Sequence, residues 1–345
     1  MRELWADKAK FIGIILMLLG HNSLANDSIF DFIYSFHMPL FFVLSGCFAS
    51  EKLISFKQYL KKNAMQLLIP YLCFYILTLP LSYYGLYLKG DAGYNGLADF
   101  ILKPILGIFT IESTQYSFNA NYALWFFVTL FVVKLIFYIP LKFKCSWKSL
   151  LYTSIGCISL LLFISFIDIY IYGRFDRALM AFPLFAIGFI LRKKSTWIYS
   201  ILKLPNPAKI TFGLISYIVV YAGAMYNGHV SFGGVHFGNS LLLTYTIALI
   251  GTFGTICIAD NLPNVKHILT IGGGGSAVIL GLHTPIQEVV KRLGSILFNI
   301  PIYDYSFAVA LIMVIIIASV HIPIIYFCKG NVPFLLGKIV KKNNI

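Results

Sequence analysis

Long apolar stretches alternate with short polar ones from one end of the chain to the other. The apolar runs fall at about residues 8–24, 33–50, 66–88, 122–141, 149–170, 175–191, 209–226, 240–259, 271–292 and 306–327. Each is close to the ~20 residues that a helix needs to cross the hydrocarbon of a bilayer. The pattern predicts an all-α fold, a polytopic membrane helix bundle of about ten transmembrane helices. It forms one integral membrane domain over 1–345, with no separate soluble domain. The longest connection, 89–121, contains GLADFILKPILGIF, which reads as a re-entrant or interfacial helix. A loop of that length is usually functional. A second connection, YNGHVSFGGVHFGNS, is rich in Gly, Ser, His and Asn and suits contact with a polar ligand. The first run lacks a small-residue cleavage site and carries His21, so no cleavable signal peptide is expected.

Composition agrees. The chain is 59% hydrophobic and only 12% charged, where soluble proteins are about a quarter charged. Its net charge of +14 raises nucleic acid as a partner, and the placement of that charge removes the need for one. Most of the 27 basic residues fall at one set of chain ends and connections: Arg2, Lys8 and Lys10; Lys52 to Lys62; Lys142 to Lys148; Arg192 to Lys209; Lys266; and Lys329 to Lys342. By the positive-inside rule both termini are cytoplasmic. Lys134 falls inside the fourth run. The six cysteines form no CxxC or Cys/His cluster, so neither a disulfide framework nor a metal site is expected.

Ionisable groups inside apolar runs are expensive and point to function. Lys10 and His21, eleven residues apart, would lie about 20° apart on one helix face and about 16 Å apart along its axis. Lys10 would then mark the cytoplasmic boundary while His21 reaches the interior. Asp7 stands one turn before Lys10 and is spaced to pair with it. A snorkelling lysine and a histidine bonded to a neighbouring helix account for the spacing equally well. His37 precedes Met38-Pro39: it is either the cap of a proline-induced helix break or a second buried histidine working with His21, and it stands with His21, Lys10 and Asp7 among the catalytic candidates.

MRELWADKAKFIGIILMLLGH followed by IYSFHMPLFFVLSGCF closely resembles the amino-terminal signature of the acyltransferase 3 family. QLLIPYL, LWFFVTLF, DRALMAFPLFAIGFILRKK and GLHTPI extend the resemblance over essentially the whole chain. The short members are similar to fucose-4-O-acetylase-type sugar acetylases. The resemblance implies acyl transfer from an acyl-CoA, with acetyl-CoA as donor and no metal, to a hydroxyl on a sugar of a surface glycan or its lipid-linked precursor. The family's basic-residue-then-histidine pattern lands on Lys10 and His21, and Arg2, Asp7 and His37 match neighbouring positions. One departure stands out: relatives often carry two arginines before the Leu-Leu-Ile-Pro stretch, where this chain has Asn63 and Gln66 beside Lys61 and Lys62.

That chemistry needs a base for a poorly nucleophilic hydroxyl, and a neutral histidine serves near neutral pH. His21 as a transient acyl carrier is the open alternative. Donor phosphates call for cations at the inner face, with Lys61, Lys62, Arg192, Lys193 and Lys194 as candidates. Gly273 and Gly274 in IGGGGS stand before a helix start that could cradle phosphate, and a flexible helix start explains them as well. Arg174, Asp176 and Arg177, beside Trp125, are candidates for the acceptor site, against the simpler reading of an ion-pair cluster. His283, midway along the ninth run, is a further candidate for the substrate path, against a simple packing role. The expected partners are the glycan acceptor, membrane lipids and, as one arrangement, a second copy of the chain, in a bacterial inner membrane. The competing reading is a transporter or flippase in which buried His and Lys form a proton or substrate path.

Overall fold

The computed structural model describes residues 3–22, 26–88, 97–114, 116–194, 197–300 and 305–337. Thirteen α-helices follow in order: α1 Leu4–Gly20, α2 Asp27–Cys47, α3 Phe56–Leu88, α4 Leu97–Thr110, α5 Trp125–Lys142, α6 Trp147–Phe166, α7 Asp176–Phe189, α8 Trp197–Leu202, α9 Asn206–Asn227, α10 Leu241–Asp260, α11 Lys266–Gly272, α12 Ser276–Phe298 and α13 Phe307–Asn331. Helix is the economical answer for such a sequence, because a backbone without water must satisfy its own hydrogen bonds. Asn26, Ser146, Ser240 and Ser306 cap α2, α6, α10 and α13 through their side chains. A two-stranded antiparallel hairpin, β1 Val230–Ser231 with β2 His236–Phe237, joins α9 to α10.

Among the described residues, seven helices are long and apolar enough to cross a membrane: α2, α3, α5, α6, α9, α10 and α13. α11 and α12 make an eighth if taken as one span, bent by 84° at the glycine break. α1 has 17 residues and α7 has 14, and these short helices lie at the centre. Every residue of α7 except Leu179 and Ile187 is buried. α7 and α2 cross with backbones in contact: a Cβ on Gly46 would lie 1.9 Å from the Phe185 carbonyl oxygen, and one on Gly188 2.0 Å from that of Val43. Small residues permit such approaches where lipid and protein interior are equally apolar. α6 and α9 lie at the periphery.

The ends of α1, α7 and α10 show that not every basic residue is a solvated loop charge. Lys8 is buried inside α1, and its ammonium donates to the Asp260 and Leu262 carbonyls at 3.0 and 2.8 Å. It caps the carboxyl end of α10, where a cation is favoured. Lys209 is buried and paired with Asp260. Arg192 pairs with Glu3 at 2.6 Å and donates to the Cys47 carbonyl at 3.1 Å. These contacts gather the starts of α1 and α9 and the ends of α2, α7 and α10 at one end of the bundle, called here the basic end. Arg2, Lys89, Lys338, Lys341 and Lys342 lie outside the described residues. α4 follows the sequence-level reading of a short helix within the long connection, pinned to α3 by Tyr71 and Tyr75, which donate to the Ile108 and Pro104 carbonyls at 2.7 and 2.8 Å.

Candidate active site

α1 ends at Gly20, and His21 is its carboxyl-terminal cap, with φ −85° and ψ 0°. The next residue, Asn22, is buried and tied to two other helices. Its amide donates to the Ala310 carbonyl at 3.0 Å, and its oxygen accepts from the Gln287 amide at 2.8 Å. That clamp sets where the chain leaves α1 and so where His21 stands. The His21 ring lies 5.1 Å from that of His283 and 6.1 Å from that of Tyr34, centre to centre. Tyr34 in turn is 4.9 Å from His37. His37 and His283 are buried, whereas His21 keeps an exposed edge.

A repeated local device fixes the buried imidazoles. His37-Met38-Pro39, His283-Thr284-Pro285 and His321-Ile322-Pro323 each place a histidine two residues before an intrahelical proline. In each, Nδ1 bonds a carbonyl one turn back: Ile33 at 2.8 Å, Ile279 at 3.0 Å and Ile317 at 2.7 Å. A carbonyl only accepts, so Nδ1 carries the hydrogen and the neutral ring offers Nε2 as a lone pair. On His283 and His321 that Nε2 is buried and has no hydrogen-bond partner among the described residues. Pro285 cannot donate to the Gly281 carbonyl, and the Asn121 amide does so instead at 2.9 Å. Pro39 does not break α2, which runs on to Cys47, so His37 is not the cap of a break.

A cavity of about 460 Å³ enters from the basic end, between α1, α2, α3, α5 and α12. Its mouth carries Lys10, Ser50, Lys62 and Ser276, and its depths Met17, Met38, Phe127 and Leu280. Met17 is one turn before His21, Met38 adjoins His37, and Leu280 is three residues before His283. The cavity lining therefore ends about one helical turn short of His21 and His283 and adjoins His37 in the chain.

The predicted residues divide as follows. Lys10 lines the cavity and pairs with Asp7 at 3.6 Å, as their spacing suggested. Lys62 lines it as well, with Asn63 and Gln66, while Lys61 and Lys193 are exposed and outside its lining. Arg192 is engaged with Glu3, and its guanidinium lies 4.5 Å above the Phe48 ring. Gly273 and Gly274 form the break between α11 and α12, and Ser276 and Ala277, just after it, reach the cavity wall.

At the opposite end, Arg174, Asp176, Arg177 and Trp125 come together as expected, around a residue the sequence reading passed over. Glu112 accepts from Arg174 at 2.8 Å and from Arg177 at 2.7 Å. Arg174 also meets Asp176 at 3.2 Å and the Gly234 carbonyl of the hairpin at 2.9 Å. The Arg177 guanidinium lies 5.5 Å from the Tyr122 ring and 5.6 Å from the buried Trp125 ring. Two arginines and two carboxylates balance in charge. Burial pushes the Tyr170 hydroxyl up to about 12, reinforced by its hydrogen bond to Glu112.

The fold and these side chains define an integral membrane protein with a cluster of histidines just beyond the end of a cavity that has a lysine-bearing mouth. A family model described as an acyltransferase domain, that of the acyltransferase 3 family, matches residues 3–325. The chain belongs to that family and is an acyltransferase. No curated protein and no solved structure matches it.

Proposed function

We propose that this protein moves an acetyl group from cytosolic acetyl-CoA to a hydroxyl of a sugar, in a surface polysaccharide or its lipid-linked precursor. It would belong to the fucose-4-O-acetylase-like branch and work in a bacterial inner membrane. The observation that carries this reading is the cavity whose lining ends next to His37 and about one turn from His21 and His283, in a chain of this family. In the proposed topology α1, α7 and the α11–α12 pair join the seven long helices as spans, ten in all, with both termini and the basic end in the cytosol. Donor then enters from the cytosol and acceptor from the other side, past the balanced Arg174–Glu112–Arg177 cluster. That balance favours a neutral hydroxylated ring over an anionic one.

In the transfer, neutral His21 takes the proton as the acceptor oxygen attacks the thioester carbonyl. The tetrahedral oxyanion collapses, the carbon–sulfur bond breaks, and the proton passes to the departing thiolate. The product is a sugar ester and free CoA. A short-lived acetyl-imidazole on His21 would divide the same transfer into two steps. A transporter would be expected to carry discontinuous helices in paired positions; the glycine break at α11–α12 is one such feature, whereas α2 runs through Pro39 without a break.

The test is transfer by the purified protein from acetyl-labelled acetyl-CoA to a lipid-linked glycan. An alkali-labile label on the glycan with stoichiometric CoA release supports the reading. CoA release that stays at the uncatalysed rate with every glycan tried overturns it.

A further inference from the structure

Lys134 stands in α5, eight residues before its last residue Lys142, about 12 Å along the axis. An ammonium at such a place in an apolar helix needs a counter-charge. Lys134 is half-buried and lines the cavity, and among the described residues no carboxylate meets it. The contact that Tyr59 makes there, at 2.8 Å, is to the Lys134 carbonyl and leaves the ammonium out. The side-chain charge that acts on it is Lys62, of like sign. Lys62 lines the same cavity from α3 and has no ion pair among the described residues. The third lysine of the lining, Lys10, is already neutralised by Asp7. No Asp or Glu is among the lining residues. Two ammonium groups on the α3 and α5 walls, with the Asn63 and Gln66 amides in the same lining, give this stretch of the cavity the donors and charge that suit an anion. From Lys134 to Phe127 the cavity runs about 10 Å further along α5, which suits a slender chain.

We propose that Lys134, with Lys62, binds a phosphate group of the acyl donor inside the cavity, leaving the donor's thioester arm to run on toward the histidines. This rests on the reading of the cavity as the donor chamber. An anionic phospholipid headgroup offers the same chemistry, and the experiment separates the two. The full-length chain in detergent is titrated with CoA, 3′-dephospho-CoA and pantetheine, as wild type, Lys134→Met and Lys134→Arg, and co-purifying lipid is read by native mass spectrometry. Expected is a loss of CoA affinity of about 10- to 100-fold in Lys134→Met, the scale of one charged hydrogen bond. Pantetheine binding stays unchanged, and Lys134→Arg recovers most of the CoA affinity. The ligand-free Lys134→Met protein should melt no lower than wild type, since it loses an uncompensated charge.

If the wild type prefers CoA to pantetheine and Lys134→Met binds CoA equally well, the inference fails while the donor chamber stands. Unchanged CoA binding with loss of a co-purified anionic lipid assigns the site to lipid and also overturns it. If the wild type binds neither CoA nor pantetheine, the donor chamber itself is refuted, and this proposal with it.

Discussion

Replacing Asn22 with leucine removes the clamp beside His21 and nearly conserves volume. Two interhelical hydrogen bonds disappear, to the Ala310 carbonyl at 3.0 Å and from Gln287 at 2.8 Å. Inside membrane bundles such bonds average about 0.6 kcal/mol each, so their direct loss is about 1 kcal/mol. The buried Gln287 amide is then left without its acceptor, at a further cost of about 1–3 kcal/mol. The expected loss of stability is therefore about 2–4 kcal/mol. Activity should fall further than stability alone implies, because a displacement of about 1 Å at a reacting group costs on the order of 100-fold in rate. Denaturant titration in detergent reads the first quantity, and CoA release at saturating donor reads the second. The double variant Asn22→Leu with Gln287→Leu has no orphaned amide, so it should recover most of the stability without recovering turnover. Turnover of Asn22→Leu within about twofold of wild type would refute the claim that this clamp positions His21. A double variant as unstable as the sum of the singles would refute the orphaned-amide argument.

Three further outcomes follow from the packing. Gly46→Ala sets a methyl 1.9 Å from the Phe185 carbonyl oxygen, so α2 and α7 must separate; a cost of about 3 kcal/mol or more should appear as loss of the monodisperse peak in detergent chromatography. Asn121→Ala leaves the Gly281 carbonyl unpaired beside Pro285, and a destabilisation of about 1–3 kcal/mol is expected in thermal melts. Burial raises the Glu3 carboxyl, but the Arg192 hydrogen bond and charge outweigh it and hold the group below its usual 4.5. A depressed folded value means the contribution is full above pH 4.5 and fades as pH falls through the lower folded value. Glu3→Gln should therefore flatten the acid limb of the stability curve and leave the neutral limb parallel to wild type.

The sequence reveals what lies within one helix far better than what lies between helices. The apolar runs mark where helices lie, and the one-turn spacing of Asp7 and Lys10 gives their pair directly. The Arg174–Asp176–Arg177 group is compact in sequence, so its clustering is visible, whereas its counter-charge Glu112 sits in a distant connection and carries no local sign. The approach of His21 to His283 is invisible for a physical reason: lipid is as apolar as the bundle interior, so hydrophobic periodicity does not say which face turns inward. The buried role of Lys8 is hidden for the same reason. One signal was available and unused. Histidine two residues before proline recurs at His37, His283 and His321, and would have drawn His321 into the set. The Gly273–Gly275 run announced a break but not the 84° turn between α11 and α12.

The central claim is that His21 handles the proton of the transferred group. Its most direct test is the rate of CoA release from acetyl-CoA by His21→Ala beside wild type, with both shown by melting temperature and detergent chromatography to be equally folded. The account predicts a fall in kcat of about 10²- to 10⁴-fold, the range for loss of a general base, with donor affinity preserved because the cavity stops short of the residue. A variant that folds and turns over at the wild-type rate would contradict it.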